Sequence, residues 1–200
     1  MTENPGYSKE DWQKHYEEDN LRWDLGEVSP PIRHFLENNP IKTGRAIIPG
    51  CGQGHEVILL AKKGFSVTAV DYTKGATERL KRNLQNNGVG ANVICVNFFN
   101  LGLEHINKYD LMLEQTFFCA IHPTLRNSYV NLVFRILKPG GLLTGVFYET
   151  GEDDGPPFNT TRAHILRHFS GPFEIKHLEK TNRSAEKRQG KEWFAVLKRR

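Results

Sequence analysis

Gly50, Gly52 and Gly54 alternate at the end of the apolar run Ala46-Ile47-Ile48-Pro49, and Asp71 closes a second apolar run at residues 67–71. Glycine has no Cβ, so a turn built from it lets the backbone approach a ligand closely. A carboxylate at the end of the next strand can accept hydrogen bonds from a ribose. The chemistry this spacing supports is nucleoside binding, with Gly50, Gly52, Gly54 and Asp71 as the contacts. A dinucleotide fingerprint would need a third glycine where this chain has His55, and that glycine packs helix on strand beside a pyrophosphate. An NAD-type ligand is therefore disfavoured.

Other groups that could do chemistry are fewer than the composition suggests. Cys51, Cys95 and Cys119 give an odd count without metal-ligand spacing, so neither a disulfide framework nor a zinc site is indicated. His164 and His168 lie one helical turn apart, but the Glu of a zinc-binding H-E-x-x-H is missing, and no metal is expected. Lysine and arginine exceed acidic residues by 27 − 23 = 4, and Lys187, Arg188, Lys191, Lys198, Arg199 and Arg200 supply much of the excess. A solvated edge is the expected role of that tail, rather than a nucleic-acid surface. No apolar run approaches a membrane span, and the polar start Met1-Thr2-Glu3-Asn4-Pro5 lacks the pattern of a signal peptide. The expected setting is the cytoplasm, without a membrane or nucleic-acid partner.

These residues need a scaffold, and the hydrophobic pattern predicts one. With 200 residues the chain is expected to form a single domain. A polar helix over residues 8–20 carries Trp12 and Tyr16 one turn apart on one face. Ser29-Pro30-Pro31 signals a helix start, with Ser29 as N-cap, running to about residue 38. Strands then alternate with helices: strands at 45–49, 67–71, 93–97, 110–116 and 142–148, helices at 55–64, 74–87 and from Pro123 to 137. Lys138-Pro139-Gly140-Gly141 reads as a helix stop. A helix at 161–169 and strands at 173–178 and 193–197 follow, the last two joined by a charged connection with no helix signal. Such alternation implies a doubly wound, mainly parallel sheet with helices on both faces. The final pair suits a hairpin, with an antiparallel last strand at the sheet edge.

The glycine pattern G-x-G-x-G resembles motif I of the S-adenosylmethionine (SAM) dependent methyltransferases. Further segments resemble the thiopurine S-methyltransferase family, especially its thiol, thiocyanate and halide branch. They are Trp23-Asp24-Leu25-Gly26, Pro49-Gly50-Cys51-Gly52-Gln53-Gly54-His55-Glu56 and Glu114-Gln115-Thr116-Phe117-Phe118-Cys119-Ala120-Ile121-His122-Pro123. Lys138-Pro139-Gly140-Gly141 and Gly155-Pro156-Pro157-Phe158 extend the likeness.

The resemblance implies a Rossmann-like class I methyltransferase, α/β, with a mixed seven-stranded sheet. Residues 1–40 would form an N-terminal helical lid within the same domain, and residues 41–200 the methyltransferase domain proper. It implies SAM as cofactor, S-adenosylhomocysteine (SAH) as product, and a small thiol, thiocyanate or halide, or a thiopurine-like compound, as acceptor; the chain is expected to act as a monomer. Asn97 and Phe98 would neighbour the adenine, and Glu114 and Gln115 the methionine end. Trp12, Tyr16 and Trp23 would cover the cofactor, where an aromatic face stabilises a sulfonium cation. Phe117, Phe118 and Tyr148 would line the acceptor side, with Phe147 as the other candidate for its far wall. A methyltransferase for oxyanions or natural products, or a catalytically silent SAM sensor, would use the same scaffold.

Overall fold

The structure is a computed structural model and describes residues 7–152 and 154–200. Its centre is a seven-stranded sheet in which β1 (Arg45–Pro49), β2 (Ser66–Asp71), β3 (Asn92–Cys95), β4 (Tyr109–Gln115), β5 (Leu137–Tyr148), β6 (Phe173–Lys180) and β7 (Glu192–Arg199) take the order β3-β2-β1-β4-β5-β7-β6. The first five strands run parallel, and β7 is antiparallel to both neighbours. Strand order reverses between β1 and β4, and the carboxyl ends of the strands there form the crevice where such sheets bind ligands.

The helices are α1 (Lys9–Glu17), α2 (Pro30–Asn38), α3 (His55–Lys62), α4 (Lys74–Asn86), α5 (Arg126–Ile136) and α6 (Arg162–Phe169). Period-two alternation sends each strand's side chains into two separate cores. Ala46, Ile48, Leu111, Leu113 and Val146 pack with Ile32, Leu60 and Leu80 of α2, α3 and α4. Their neighbours Ile47, Met112 and Phe147 join Tyr129, Val133 and Phe169 of α5 and α6. Both faces of the central strands are thus buried, which is why they read as continuous apolar runs.

Ser8 caps α1 through a reciprocal box: its hydroxyl accepts from the Asp11 N–H at 3.1 Å, and Asp11 accepts from the Ser8 N–H at 2.8 Å. The helix lies against α4, where the Gly75 N–H donates to Gln13 at 3.0 Å and a Cβ on Gly75 would collide with Tyr16.

Five expectations need correcting. The last strand is not at the edge: β7 inserts between β5 and β6, its two sides pairing antiparallel with Leu142–Tyr148 of β5 and with β6, which is left as the edge strand. Lys138-Pro139-Gly140-Gly141 stops α5 but already belongs to β5, whose pairing starts with Leu137 on Tyr109 and shifts register before Leu111. Asn97 lies beyond β3, and the helix after Pro123 begins as one 3-10 turn, Pro123–Leu125, before α5 starts at Arg126. The connection between β6 and β7 holds a 3-10 turn, Glu186–Arg188. No helix among the described residues is long and apolar enough to cross a membrane.

Candidate functional site

A cavity of about 830 Å³ opens beyond the carboxyl ends of the strands, with the glycine turn as its floor. Gly50, Gly52 and Gly54 have φ of +55°, +51° and +84°, which side-chain-bearing residues rarely adopt. Space adds a second requirement: a Cβ on Gly50 would lie 2.5 Å from Phe117 Cδ2, and one on Gly54 would collide with Leu80 of α4.

Asp71 stands beside this turn, only 8% exposed. Its Oδ1 accepts from the Thr73 N–H at 3.0 Å and the Thr73 hydroxyl at 2.8 Å, while Oδ2 takes only a long 3.3 Å bond from the Gly52 N–H. One carboxylate oxygen is therefore fixed and the other is underused at the cavity wall. Burial pushes the carboxyl pKa upward. Asn97 also lines the cavity, but its carbonyl accepts from the Phe99 N–H at 3.0 Å, so its amide N–H groups are what it can offer freely. Phe98 lines the cavity as well, largely buried, with its ring 5.6 Å from Phe117.

The exit of β4 sorts the predicted residues into two groups. Thr116 has a φ of +59°, an unusual conformation for a β-branched residue. Glu114 braces the reversal: its Oε1 accepts from the N–H groups of Phe117 and Phe118 at 2.7 and 2.8 Å, and its Oε2 from the Tyr129 hydroxyl. Glu114 is fully buried and absent from the cavity wall, so the expected contact with the methionine end is corrected to a structural one. Burial raises its pKa to about 7 against the three donors. Gln115 faces the cavity.

The same turn directs Phe117 into the cavity and Phe118 into the core, where it meets Tyr129, Phe147 and Phe169. Phe118 is fully buried and does not line the acceptor side as expected. Cys119 reaches the cavity wall, its thiol donating to the Thr116 carbonyl at 3.1 Å, and burial pushes its pKa up to about 12. Of the two candidates closing β5, Tyr148 faces the cavity and Phe147 is buried among the core aromatics.

Trp12, Tyr16 and Trp23 all line the opposite wall. Their rings pack edge to face around Trp23, with centroids 5.0 Å from Trp12 and 5.8 Å from Tyr16. Burial, with Asp71 close by, keeps the Tyr16 phenol protonated by raising its pKa.

The sequence did not single out what holds this wall in place. Asp24 accepts from Gln53 and, at 3.0 Å, from His55 Nε2, both next to the glycine turn. From the other rim, Lys187 Nζ donates to the Asp24 carbonyl at 2.7 Å and Arg188 to the Trp23 carbonyl. Burial opposes ionisation of Asp24, but the bonds from His55, Gly26 and Gln53 outweigh it and hold the carboxyl at about 2. His55 is raised in turn by its bond to Asp24. The residue that replaces a third glycine thus has a role of its own. Arg188 is not part of a solvated edge: it is 6% exposed, ion-paired with Glu192 at 3.1 Å, and lies 5.5 Å over the Tyr148 ring. Arg199 is also drawn inward, onto the Leu137 carbonyl and the Phe134 ring.

His164 takes part in the capping box of α6, and His168 bonds Asn127 at 3.0 Å. Among the described residues no three His, Cys, Asp or Glu side chains gather as a metal site.

Comparison with known proteins covers nearly the whole chain. The sequence profile of the family described as Thiopurine S-methyltransferase (TPMT) matches residues 7–198. Probable thiol methyltransferase 2 of Arabidopsis thaliana is 34% identical over 164 residues, 80% of this chain and 70% of that one. Thiocyanate methyltransferase 1 of Brassica oleracea is 29% identical over 90% of this chain and 81% of its own length. Among solved structures, the 1,6-didemethyltoxoflavin-N1-methyltransferase of Burkholderia thailandensis, which holds S-adenosylhomocysteine, aligns with a TM-score of 0.73. It is 18% identical and the alignment covers 96% of this chain and 86% of that one, a likeness of fold.

Proposed function

This chain belongs to the thiopurine S-methyltransferase family, and we propose that it is a SAM-dependent methyltransferase acting on a small, soft, anionic nucleophile: a thiolate, thiocyanate or halide. The cofactor supplies an electrophilic methyl group on a sulfonium. The chain's own features fit it. The glycine turn gives a backbone approach, Asp71 keeps an underused oxygen at the wall, and Asn97 and Gln115 offer polar groups along the same crevice. Trp12, Tyr16 and Trp23 present aromatic surface, which stabilises a cation and excludes water. Residues 1–40 would serve as the lid that carries them.

The observation that favours a soft anion is the pairing of Arg188 with Tyr148 in a wall otherwise rich in aromatic and apolar groups. A guanidinium has five N–H donors, of which two are used by Glu192 and Trp23. The rest, with the phenol, can hold an anion in line with the methyl group. A thiolate, thiocyanate or halide needs no base, and in-line displacement depends mainly on alignment. With Arg188 and Arg199 paired internally, the basic tail offers little to nucleic acid, and we take the enzyme to work as a cytoplasmic monomer.

The test is an acceptor panel assayed by SAH formation. Turnover is expected with thiocyanate, iodide and aromatic thiols, well above that with amines, alcohols or carboxylates. SAM binding without turnover of any soft anion would overturn the reading, and a preference for oxygen or nitrogen acceptors would redirect it.

A further inference from the structure

Glu192 opens β7 and is completely buried. A carboxylate removed from water needs a charged partner or costs heavily. Arg188 is that partner, with Nη1 donating to Oε1 at 3.1 Å. The pair is not closed, because Glu192 Oε2 has no hydrogen-bond partner among the described residues. A fork-to-fork pair would use both oxygens. Here the second guanidinium nitrogen goes instead to the Trp23 carbonyl. Arg188 therefore connects three things: a carboxylate beneath it, the aromatic wall beside it, and the cavity it lines. Glu192 is also the register partner of Tyr148 across β5 and β7, so one strand pair carries both the anchor and the ring over which the guanidinium lies.

We propose that Glu192 is a positioning residue for the acceptor end of the cavity: it holds the Arg188 guanidinium against Tyr148 and Trp23 so that the remaining N–H donors face an anionic acceptor. This rests on the reading above that the acceptor is an anion. Glu192 itself does not line the cavity and acts only through Arg188.

Glu192→Gln keeps an oxygen at the same place and removes its charge. The KM for thiocyanate should rise about tenfold, as expected for losing a charge-assisted bond, while SAH affinity moves much less. A merely structural role would lower Tm and the active fraction but leave the KM of the folded enzyme alone. Arg188→Met should raise the same KM, and Arg188→Met/Glu192→Gln should add nothing beyond it. That double variant buries no lone charge, so it answers the question even where E192Q folds poorly. An unchanged KM in folded E192Q, or additive effects in the double variant, would overturn the proposal. If the unmutated protein methylates no soft anion, the function fails but the positioning can still be judged by NMR. A held guanidinium gives separate Nη1 and Nη2 signals, assigned by their loss in Arg188→Met, and E192Q should merge them. Signals that stay separate would overturn the positioning independently of turnover.

Discussion

Asp24 shows what a single residue contributes and why its role was hard to read from the sequence. Gly50, Gly52 and Gly54 were legible as a turn because positive φ restricts residue type at fixed local spacing, and Asp71 was legible as the carboxylate closing the neighbouring strand beside it. The Asp24–His55 bond joins positions 31 residues apart, and no local periodicity encodes such a pair. Its consequence is measurable. His55 is held above the ordinary histidine pKa of 6.5 mainly by the Asp24 hydrogen bond, so Asp24→Asn should bring it down toward that value in an NMR titration. A group whose pKa is raised on folding stabilises the protein below its unfolded pKa, and that contribution is lost as pH rises through the folded value. The native protein should accordingly lose stability as pH rises from 6.5 through the raised His55 value, and D24N should show less of this loss. With the wall loosened from the glycine turn, SAM affinity should also fall, by about tenfold for a lost charge-assisted bond. A His55 pKa that does not move in D24N would mean that Asp24 does not govern it.

At the scale of elements, alternation located the strands well, because one period-two pattern had to serve two cores at once. It failed where a strand ended. Beyond Gln115, sides are set by the positive φ of Thr116 and by the Glu114 brace, not by parity, so Phe117 and Phe118 look interchangeable in sequence but are not. Substitution separates them. Phe118→Ala empties a fully buried aromatic site and should cost about 3–5 kcal/mol in urea unfolding. Phe117→Ala removes a half-buried ring at the cavity and should cost less stability but more SAH affinity and turnover. The opposite ranking would place Phe118, not Phe117, at the cavity. The insertion of β7 beside β5 follows the same logic. Hairpin composition announced an antiparallel pair, but which member would lie inside the sheet depends on contacts distant in sequence.

For the molecule as a whole, chain ends that look peripheral meet over the cavity. Trp23 and Asp24 near the start are tied to Lys187 and Arg188 near the end, and both segments line the same space as the glycine turn. Charge counting suggested a solvated tail because composition reports how many cations there are, not which of them find partners. The arrangement predicts that a ligand stabilises the N-terminal segment and the core together. Ligand at 100 times its Kd adds about 2.7 kcal/mol, and for a chain of this size each kcal/mol is worth about 2–4 °C. Saturating SAH should then raise Tm by roughly 5–10 °C. Because Trp12, Tyr16 and Trp23 line the same cavity as the glycine turn, tryptic cleavage after Lys14 and the exposed Arg22 should slow over the same SAH concentrations. A rise in Tm without that protection would mean that the cofactor binds the glycine turn alone and that the N-terminal aromatics do not close over it.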